Sequence, residues 1–243
     1  MKLVAVLACR NQSSRLYAKP LQNLDVKNGV TILDYIVAQV RLHPVIKDIV
    51  LAISDQKEND IYQDIAEKYG VGYVRGDDRD VLSRLLKAAE SSGADHIFRV
   101  TTESPYTYFD LLESIYEKHC KNSIDYSTTP GLPDGACFEI IKYEALRKSW
   151  DLGSSKHRSE LCCSYILENE SKFKIAKHEQ RQGGFLIPVR GVSNLPAIFC
   201  LTDSIKRSQF FNAALDVITP FHHYIFAGRT GHLRIFQLYF LSQ

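Results

Sequence analysis

The chain has no large excess of charge of either sign. Its 243 residues carry 30 Lys and Arg against 28 Asp and Glu, a formal net charge of +2. Because a field over the whole surface needs a large net charge, we expect neither a nucleic-acid partner nor binding to a membrane surface. A site for an anion must therefore come from a local cluster of cations.

Long hydrophobic runs are also missing. The apolar run at the start of the chain, Leu3–Leu7, is too short for the core of a signal peptide. No stretch approaches the roughly 20 apolar residues that a membrane-spanning helix needs. With 45% hydrophobic and 24% charged residues, the composition is that of a globular protein, and we expect it to be cytoplasmic.

The cysteines lack the paired spacing of metal sites. Cys162 and Cys163 are adjacent, whereas a zinc knuckle needs two or more residues between its ligands. We expect all cysteines to be reduced, as is usual in cytoplasmic proteins. The six are Cys9, Cys120, Cys137, Cys162, Cys163 and Cys200.

Strand-like segments alternate with segments of helical period, and this alternation predicts βαβ units in an α/β fold with a mainly parallel central sheet flanked by helices. Asp80 is placed to cap a helix, and Gly70 and Gly93 to end two of them. The predicted strands are Leu3–Ala8, Asp48–Ile53, Gly72–Val74, His96–Val100, Ile124–Ser127, Ala136–Ile141, Phe173–Ala176 and Ile198–Thr202. The predicted helices are Ile32–Leu42, Glu58–Tyr69, Val81–Ser91, Phe109–His119, Tyr143–Trp150 and Ser159–Glu168.

A basic loop follows the first predicted strand. It places the cations Arg10, Arg15 and Lys19 close together, with the hydroxyls of Ser13 and Ser14 between them. Arginine forks and a lysine point charge can share the oxygens of a polyanion such as a nucleoside triphosphate. A solvated basic loop is the alternative, but the position directly after a strand favours a ligand site, since open α/β sheets bind ligands at the carboxyl ends of their strands.

Two acids follow other predicted strands. Glu103 comes shortly after His96–Val100, and Asp203 comes directly after Ile198–Thr202. Carboxylates at this edge of a sheet suit the Mg²⁺ ion that accompanies a triphosphate. Each acid is also explained by a turn, and Asp203 equally well by capping a helix. Together with the basic loop, they supply the groups that metal-assisted nucleotidyl transfer needs.

Four motifs are found near the ends of the predicted strands. The first is Cys9-Arg-Asn-Gln-Ser-Ser-Arg-Leu-Tyr-Ala-Lys19, and the second is Arg75-Gly-Asp-Asp-Arg-Asp-Val-Leu-Ser-Arg84. The third is Gly93-Ala-Asp-His-Ile-Phe-Arg-Val-Thr101, and the fourth is Pro133-Asp-Gly135 with Glu139 close behind. Together they resemble the cytidylyltransferase family that activates acidic sugars, including the KDO and acylneuraminate cytidylyltransferases, and in particular its SpsF-like spore-coat polysaccharide branch.

The resemblance implies the nucleotide-diphospho-sugar transferase fold (GT-A, Rossmann-like) and Mg²⁺-dependent transfer from CTP to a sugar acid, giving a CMP-sugar and pyrophosphate for polysaccharide or glycan biosynthesis. Arg10, Arg15 and Lys19 would then act on the triphosphate, and Glu103 and Asp203 would hold the metal ion. The implied nucleotide-binding residues are Ala8, Cys9, Ser13, Ser14, Ser83 and Arg84. The implied sugar contacts are Asp134 and Glu139.

Several motif positions depart from the family pattern. Gln12 replaces a glycine and Tyr17 a proline, Glu103 replaces an aspartate, Cys137 stands where an aspartate is usual, and Leu161 where a histidine is expected. A side chain at Gln12 would obstruct close approach of the backbone to phosphate. These departures leave two alternatives open. One is a nucleotide- or sugar-binding relative with weakened catalysis, and the other is a guanylyl- or uridylyltransferase acting on a sugar or polyol phosphate.

The resemblance ends near residue 217. We therefore expect a nucleotidyltransferase domain over 1–217 and a C-terminal tail over 218–243. The tail is rich in aromatic residues, and such residues are enriched at protein interfaces. We expect it to pack on the domain or on the partner in a homodimer. Its aromatic residues are Phe221, Tyr224, Phe226, Phe236, Tyr239 and Phe240.

Overall fold

The computed structural model describes residues 1–13, 16–130, 132 and 135–178, together with the backbone of 185–187 and 198–200. The strands are β1 Leu3–Cys9, β2 Asn23–Asp25, β3 Val30–Thr31, β4 Ile46–Ser54, β5 Gly72–Gly76, β6 His96–Arg99, β7 Tyr126–Thr128, β8 Glu139–Lys142, β9 Ile175–Lys177, β10 Phe185–Ile187 and β11 Ile198–Cys200. The helices are α1 Ile32–Arg41, α2 Ile61–Tyr69, α3 Val81–Ser92, α4 Leu112–Lys121, α5 Tyr143–Leu152 and α6 Ser164–Glu168.

A seven-stranded sheet in the order β5-β4-β1-β6-β8-β7-β9 forms the centre of the fold. The strands β5, β4, β1 and β6 are parallel to their neighbours, and β9 runs parallel to β7. Only β8 of this sheet is reversed, because it pairs antiparallel with both β6 and β7. The prediction of a mainly parallel sheet is confirmed, and the start of β8 lies at the edge where its neighbours end.

The sheet is buried on both faces, as a parallel sheet flanked by helices must be. Side chains alternate along β1: Val4 and Val6 pack in one core with residues of α3, whereas Leu3 and Leu7 pack in a second core with residues of α1. This period of two is the ordinary geometry of a strand. The two cores cover both faces of the sheet, and the ends of the strands are left for ligands.

The three predicted helix caps agree with the structure, although α2 and α4 each begin three residues later than predicted. The Asp80 carboxylate accepts a hydrogen bond from the Ser83 amide at the start of α3, 2.8 Å away. Gly70 and Gly93 follow α2 and α3 with φ angles of 58° and 61°, the left-handed conformation that glycine adopts without strain. Local sequence chemistry therefore determines where these helices begin and end.

One predicted helix is wrong in its first half. The segment Ser159–Glu168 was expected to be helical throughout, but α6 covers only Ser164–Glu168. Ser159 has an extended backbone, with φ −72° and ψ −169°. The Glu160 carbonyl accepts a hydrogen bond from the Arg99 guanidinium at 2.6 Å, so a long-range partner takes the place of the helical one.

Two histidines, His96 on β6 and His119 on α4, form a buried pair. His96 Nδ1 lies 3.1 Å from His119 Nε2, and His119 Nδ1 lies 2.8 Å from Ser127 Oγ. Both rings are almost fully buried. Burial lowers the pKa of His96 and lowers that of His119 to about 3. Both rings are therefore neutral in the folded protein at pH 7.

This pair predicts a loss of stability in mild acid. Since the unfolded histidines protonate near pH 6.5 and folded His119 only near pH 3, stability is complete above pH 6.5 and falls as the pH decreases from there. The slope is about 1.4 kcal/mol per pH unit for each such proton. Urea unfolding between pH 7.5 and 4.5 measures it. His119→Gln should flatten the slope, and an unchanged slope in that variant would contradict this account.

Among the residues that the structure describes, no helix is long and apolar enough to cross a bilayer. Five cysteines, namely Cys9, Cys120, Cys137, Cys162 and Cys163, are free thiols. The side chain of Cys200, the boundary expected at residue 217 and the tail over 218–243 lie outside the described residues.

Candidate active site

The basic loop leaves the sheet at the end of β1. Ala8 is partly buried and Cys9 is fully buried, so Cys9 can offer a ligand only its backbone. Burial raises the pKa of the Cys9 thiol to about 12, and the thiol is therefore not a nucleophile. The loop closes on itself where the Ala18 amide donates to the Asn11 carbonyl at 2.8 Å, with Ala18 in the left-handed conformation at φ 51°.

The side chains of Asn11 and Gln12 are held by the segment before α2. The backbone N–H of Asn11 donates to Asn59 Oδ1 at 2.7 Å, and the Asn11 side-chain Nδ2 donates to the backbone carbonyl of Glu58. Gln12 Oε1 accepts from Asn59 Nδ2 at 3.3 Å, and Gln12 Nε2 donates to Glu58 Oε2 at 3.4 Å. Both ends of the Gln12 amide thus have partners on residues 58–59, at one side of the loop.

The two cations of the loop that the structure describes each contact an acid from a distant segment. Arg10 Nη2 lies 2.9 Å from Glu160 Oε2, and Lys19 Nζ lies 2.9 Å from Glu103 Oε2. The side chain of Glu160 is 70% exposed and that of Glu103 is 42% exposed. Both ion pairs are therefore open to solvent and to a charged ligand.

A second hydrogen bond fixes the loop after β6 against the end of β1. The buried Thr102 hydroxyl donates to the Ala8 carbonyl at 2.8 Å. Because β6 is the direct neighbour of β1, Glu103 follows at the same edge of the sheet as Lys19. The structure therefore brings the basic loop and the first predicted metal ligand together.

Glu139 is the centre of a buried polar cluster at the start of β8. It forms an ion pair with Arg99, its register partner on β6, and accepts a hydrogen bond from the Tyr126 hydroxyl at 2.5 Å. Burial raises the pKa of Glu139, but the charge of Arg99 and these hydrogen bonds outweigh it, so that the net shift is downward. Glu139 is a carboxylate with two strong partners, and its side chain is 17% exposed.

Arg84 lies under the floor of the site. Its side chain is 1% exposed, and Nη1 donates to the Cys9 carbonyl at 3.3 Å and the Ala52 carbonyl at 3.1 Å. The chain approaches closely here, because a Cβ at Gly76 would lie only 2.9 Å from Arg84 Cγ. The described guanidinium supports the ends of β1 and β4 from below, and a contact with nucleotide stays a prediction.

The structure gives less information on the remaining predicted site residues. The Ser83 hydroxyl donates to the Asp80 carbonyl at 2.9 Å, within the first turn of α3. Ser13 is exposed in the basic loop. Four predicted site residues, Ser14, Arg15, Asp134 and Asp203, lie outside the described residues, and their roles stay predictions.

The sequence motifs did not identify Glu160, which contacts Arg10, or Arg99, which holds the Glu160 carbonyl, as site residues. They also did not identify Glu58 and Asn59, which hold Asn11 and Gln12. Glu160 is 150 positions from Arg10 in the chain, and no periodicity or spacing links the two. Arg99 lies inside the third motif, four residues before Glu103, and this position is the sequence feature that could have indicated a role at the site. Together they bring the segment before α6 to the mouth of the site.

Hard oxygen ligands are available for a divalent cation. In the described part of the chain, no group of three or more His, Cys, Asp or Glu side chains could hold a metal ion. Among the described residues, Glu103 offers an exposed carboxylate beside Lys19. This fits Mg²⁺, which usually keeps several waters and binds through one or two carboxylates plus substrate phosphates.

An open cavity of about 650 Å³ lies beside Gln12, at the ends of β4 and β5. Its lining is polar: the carboxylates of Asp55, Glu58, Asp77 and Asp78 outnumber the guanidinium of Arg79, and Gln12 and Gln56 add amides. The cations Arg10 and Lys19 do not line it. A ligand that carries both a negative and a neutral polar part would therefore place the negative part at the basic loop and the neutral part in this cavity.

Comparison with known proteins identifies the chain at this point. A model of the cytidylyltransferase family matches residues 4–196. An uncharacterised protein of Methanocaldococcus jannaschii is 30% identical over 175 residues, 72% of this chain and 71% of that protein. The spore coat polysaccharide biosynthesis protein SpsF of Bacillus subtilis is 28% identical over 145 residues, 59% of this chain and 60% of that protein.

Solved structures support the fold. A cytidylyltransferase from Leptospira borgpetersenii superposes with a TM-score of 0.68 at 24% identity, covering 74% of this chain and 77% of that one. A CMP:2-keto-3-deoxy-manno-octonic acid synthetase complexed with CTP superposes with a TM-score of 0.59 at 13% identity, covering 74% and 90%. The predicted nucleotide-diphospho-sugar transferase fold is confirmed. By the extent of the family match, this chain belongs to the cytidylyltransferase family of nucleotidyltransferases.

Proposed function

We propose that the protein transfers a cytidylyl group from CTP to a sugar acid, releasing pyrophosphate and forming a CMP-sugar for polysaccharide or glycan biosynthesis. The observation that carries the proposal is the meeting of the basic loop with the loop after β6, where Lys19 and Glu103 lie 2.9 Å apart. Cations and a metal-binding carboxylate at one sheet edge are the groups that a metal-bound triphosphate requires. Family membership and the SpsF relative support the same function.

In this proposal the phosphates lie along the basic loop. Arg10, Arg15 and Lys19 bind the β- and γ-phosphates, and Ser13 and Ser14 add hydroxyl donors. The backbone of Ala8 and Cys9, with Ser83 and Arg84, belongs to the nucleotide side. The nucleoside occupies the cavity beside Gln12, because the four carboxylates of the lining outnumber Arg79 and make the cavity better suited to a neutral base than to phosphate.

The sugar lies on the opposite side, near Glu139, and the motif makes Asp134 a second proposed contact. Glu139 stays ionised beside Arg99 and can accept hydrogen bonds from sugar hydroxyls. A sugar hydroxyl attacks the α-phosphorus in line with the departing pyrophosphate, so that one P–O bond forms as another breaks. Lys19 and Arg10 stabilise the charge that develops on the leaving group. A divalent cation held by Glu103 and Asp203 would neutralise phosphate oxygens when bound.

The arrangement of Gln12 bears on the alternative of a binding-only relative. The sequence supports that alternative in part because a side chain at position 12 would obstruct the approach of phosphate to the loop. Both ends of the Gln12 amide are instead engaged by Glu58 and Asn59. A Gln12 side chain held in this way is directed to residues 58–59, so the replacement of the motif's glycine is not by itself an argument against turnover.

A pyrophosphate-release assay with Mg²⁺ and each of CTP, UTP, GTP and ATP tests the function. Sugar acids and sugar or polyol phosphates serve as the acceptors. We expect release with CTP and a sugar acid. Release with UTP or GTP and a sugar phosphate would instead support a uridylyl- or guanylyltransferase. Thermal stabilisation by nucleotide without any pyrophosphate would support the binding-only relative.

The oligomeric state of the protein tests the role expected for the C-terminal tail. We propose that residues 218–243 pack on the domain or across a homodimer, since the aromatic residues there suit an interface. Sedimentation of the full chain and of a chain ending at residue 217 would compare the two arrangements.

A further inference from the structure

The two cations of the basic loop that the structure describes, Arg10 and Lys19, are already paired with acids in the free protein. Arg10 contacts Glu160 and Lys19 contacts Glu103, so the two ion pairs together carry no net charge. A triphosphate that binds Arg10 must first displace the Glu160 carboxylate. Because that carboxylate is 70% exposed, the ion pair is weak and the displacement is easy.

The displaced carboxylate cannot move far. The Glu160 carbonyl is fixed by a hydrogen bond from Arg99 Nη2 at 2.6 Å. Arg99 is itself held by the buried ion pair with Glu139. The backbone of Glu160 is thus anchored while its side chain is free, and the negative charge remains beside the bound phosphates.

We propose that Glu160 is a specificity-determining residue, whose carboxylate competes with phosphate for Arg10 and thereby favours a triphosphate that arrives with a divalent cation over the metal-free anion. A bound divalent cation cancels two negative charges of the triphosphate, so the complex is repelled less by the nearby carboxylate. The inference deepens the proposed function and rests on it, because it assumes that the anion at Arg10 is a nucleotide.

The test measures binding of CTP by calorimetry, once with Mg²⁺ and once with EDTA. Glu160→Gln keeps the size of the side chain and an acceptor for Arg10 but removes the charge. We expect this variant to bind metal-free CTP about two- to fivefold more tightly than the wild type, which is the range of an exposed ion pair. The affinity for CTP with Mg²⁺ should change less.

Glu168→Gln is the matched control. Glu168 also contacts a cation, with Lys156 Nζ at 2.8 Å, but lies on α6 away from the basic loop. We expect no change in that variant. Unchanged or weaker binding of metal-free CTP by Glu160→Gln would overturn the inference, as would an equal gain with and without Mg²⁺. If the wild type bound no CTP even with Mg²⁺, the proposed function itself would be overturned.

Discussion

Replacing Lys19 with alanine is expected to lower kcat/KM for CTP by about a hundred- to a thousandfold, the loss typical of a group that stabilises developing charge. Lys19 is 25% exposed and lies 2.9 Å from Glu103, in the loop where we propose that the pyrophosphate leaves. Without Lys19, Arg10 is the described cation that remains to stabilise the charge on the leaving group. Initial rates of pyrophosphate release over a range of CTP concentrations measure the effect.

The same variant should fold normally. Glu103 loses its partner but is 42% exposed, and the loss of a solvent-exposed ion pair has little effect on stability. Lys27→Ala, which removes an exposed lysine from the turn between β2 and β3, is the matched control and should retain full activity. A Lys19→Ala enzyme with near-parental rates would show that this loop does not bind the reacting phosphates.

Replacing Arg99 with methionine is expected to destabilise the fold by about 3–5 kcal/mol, because it leaves a buried carboxylate without its counter-ion. Glu139 is 17% exposed, and Tyr126 would be its remaining strong partner. Burial would then raise the pKa of Glu139 without the opposing charge, so that the loss of stability should increase with pH as Glu139 ionises. Urea unfolding at several pH values measures both effects.

Two comparisons separate this effect from a simple loss of packing. Arg99→Met combined with Glu139→Gln removes the orphaned charge and keeps an acceptor for Tyr126, so it should recover much of the lost stability. Arg147→Met removes a half-exposed arginine that contacts Glu90, and it should cost less than about 1 kcal/mol. A double variant as unstable as Arg99→Met alone would contradict the role given to the charge.

Much of the sheet could be predicted because its signals are local. The apolar strand Leu3–Ala8 differs from β1 by one residue, and Asp80, Gly70 and Gly93 act as the helix caps that their residue types suggest. The parallel strands place their carboxyl ends at one edge by geometry alone. The proximity of Lys19 and Glu103 follows from that rule, since β1 and β6 are neighbours.

Other contacts that organise the site could not be predicted, because no strand-end rule or motif links the segments that they join. Arg10 and Glu160 are separated by 150 positions, and Arg99 and Glu139 by 40. Helical period predicted a helix from Ser159, whereas the Arg99 guanidinium holds the Glu160 carbonyl and keeps the chain extended there. The motif predicts a nucleotide contact for Arg84, which stays a prediction, whereas the burial of Arg84 under the strand ends is a tertiary property that no motif encodes.

The position of Arg84 also affects how the protein attracts anions. Its guanidinium stays protonated even where burial lowers its pKa, since an arginine does not release its proton in proteins. Dissolved salt screens the exposed Arg10 and Lys19, but mobile ions cannot surround a side chain that is 1% exposed. At close range, salt therefore weakens the positive field of Arg84 less than the fields of Arg10 and Lys19.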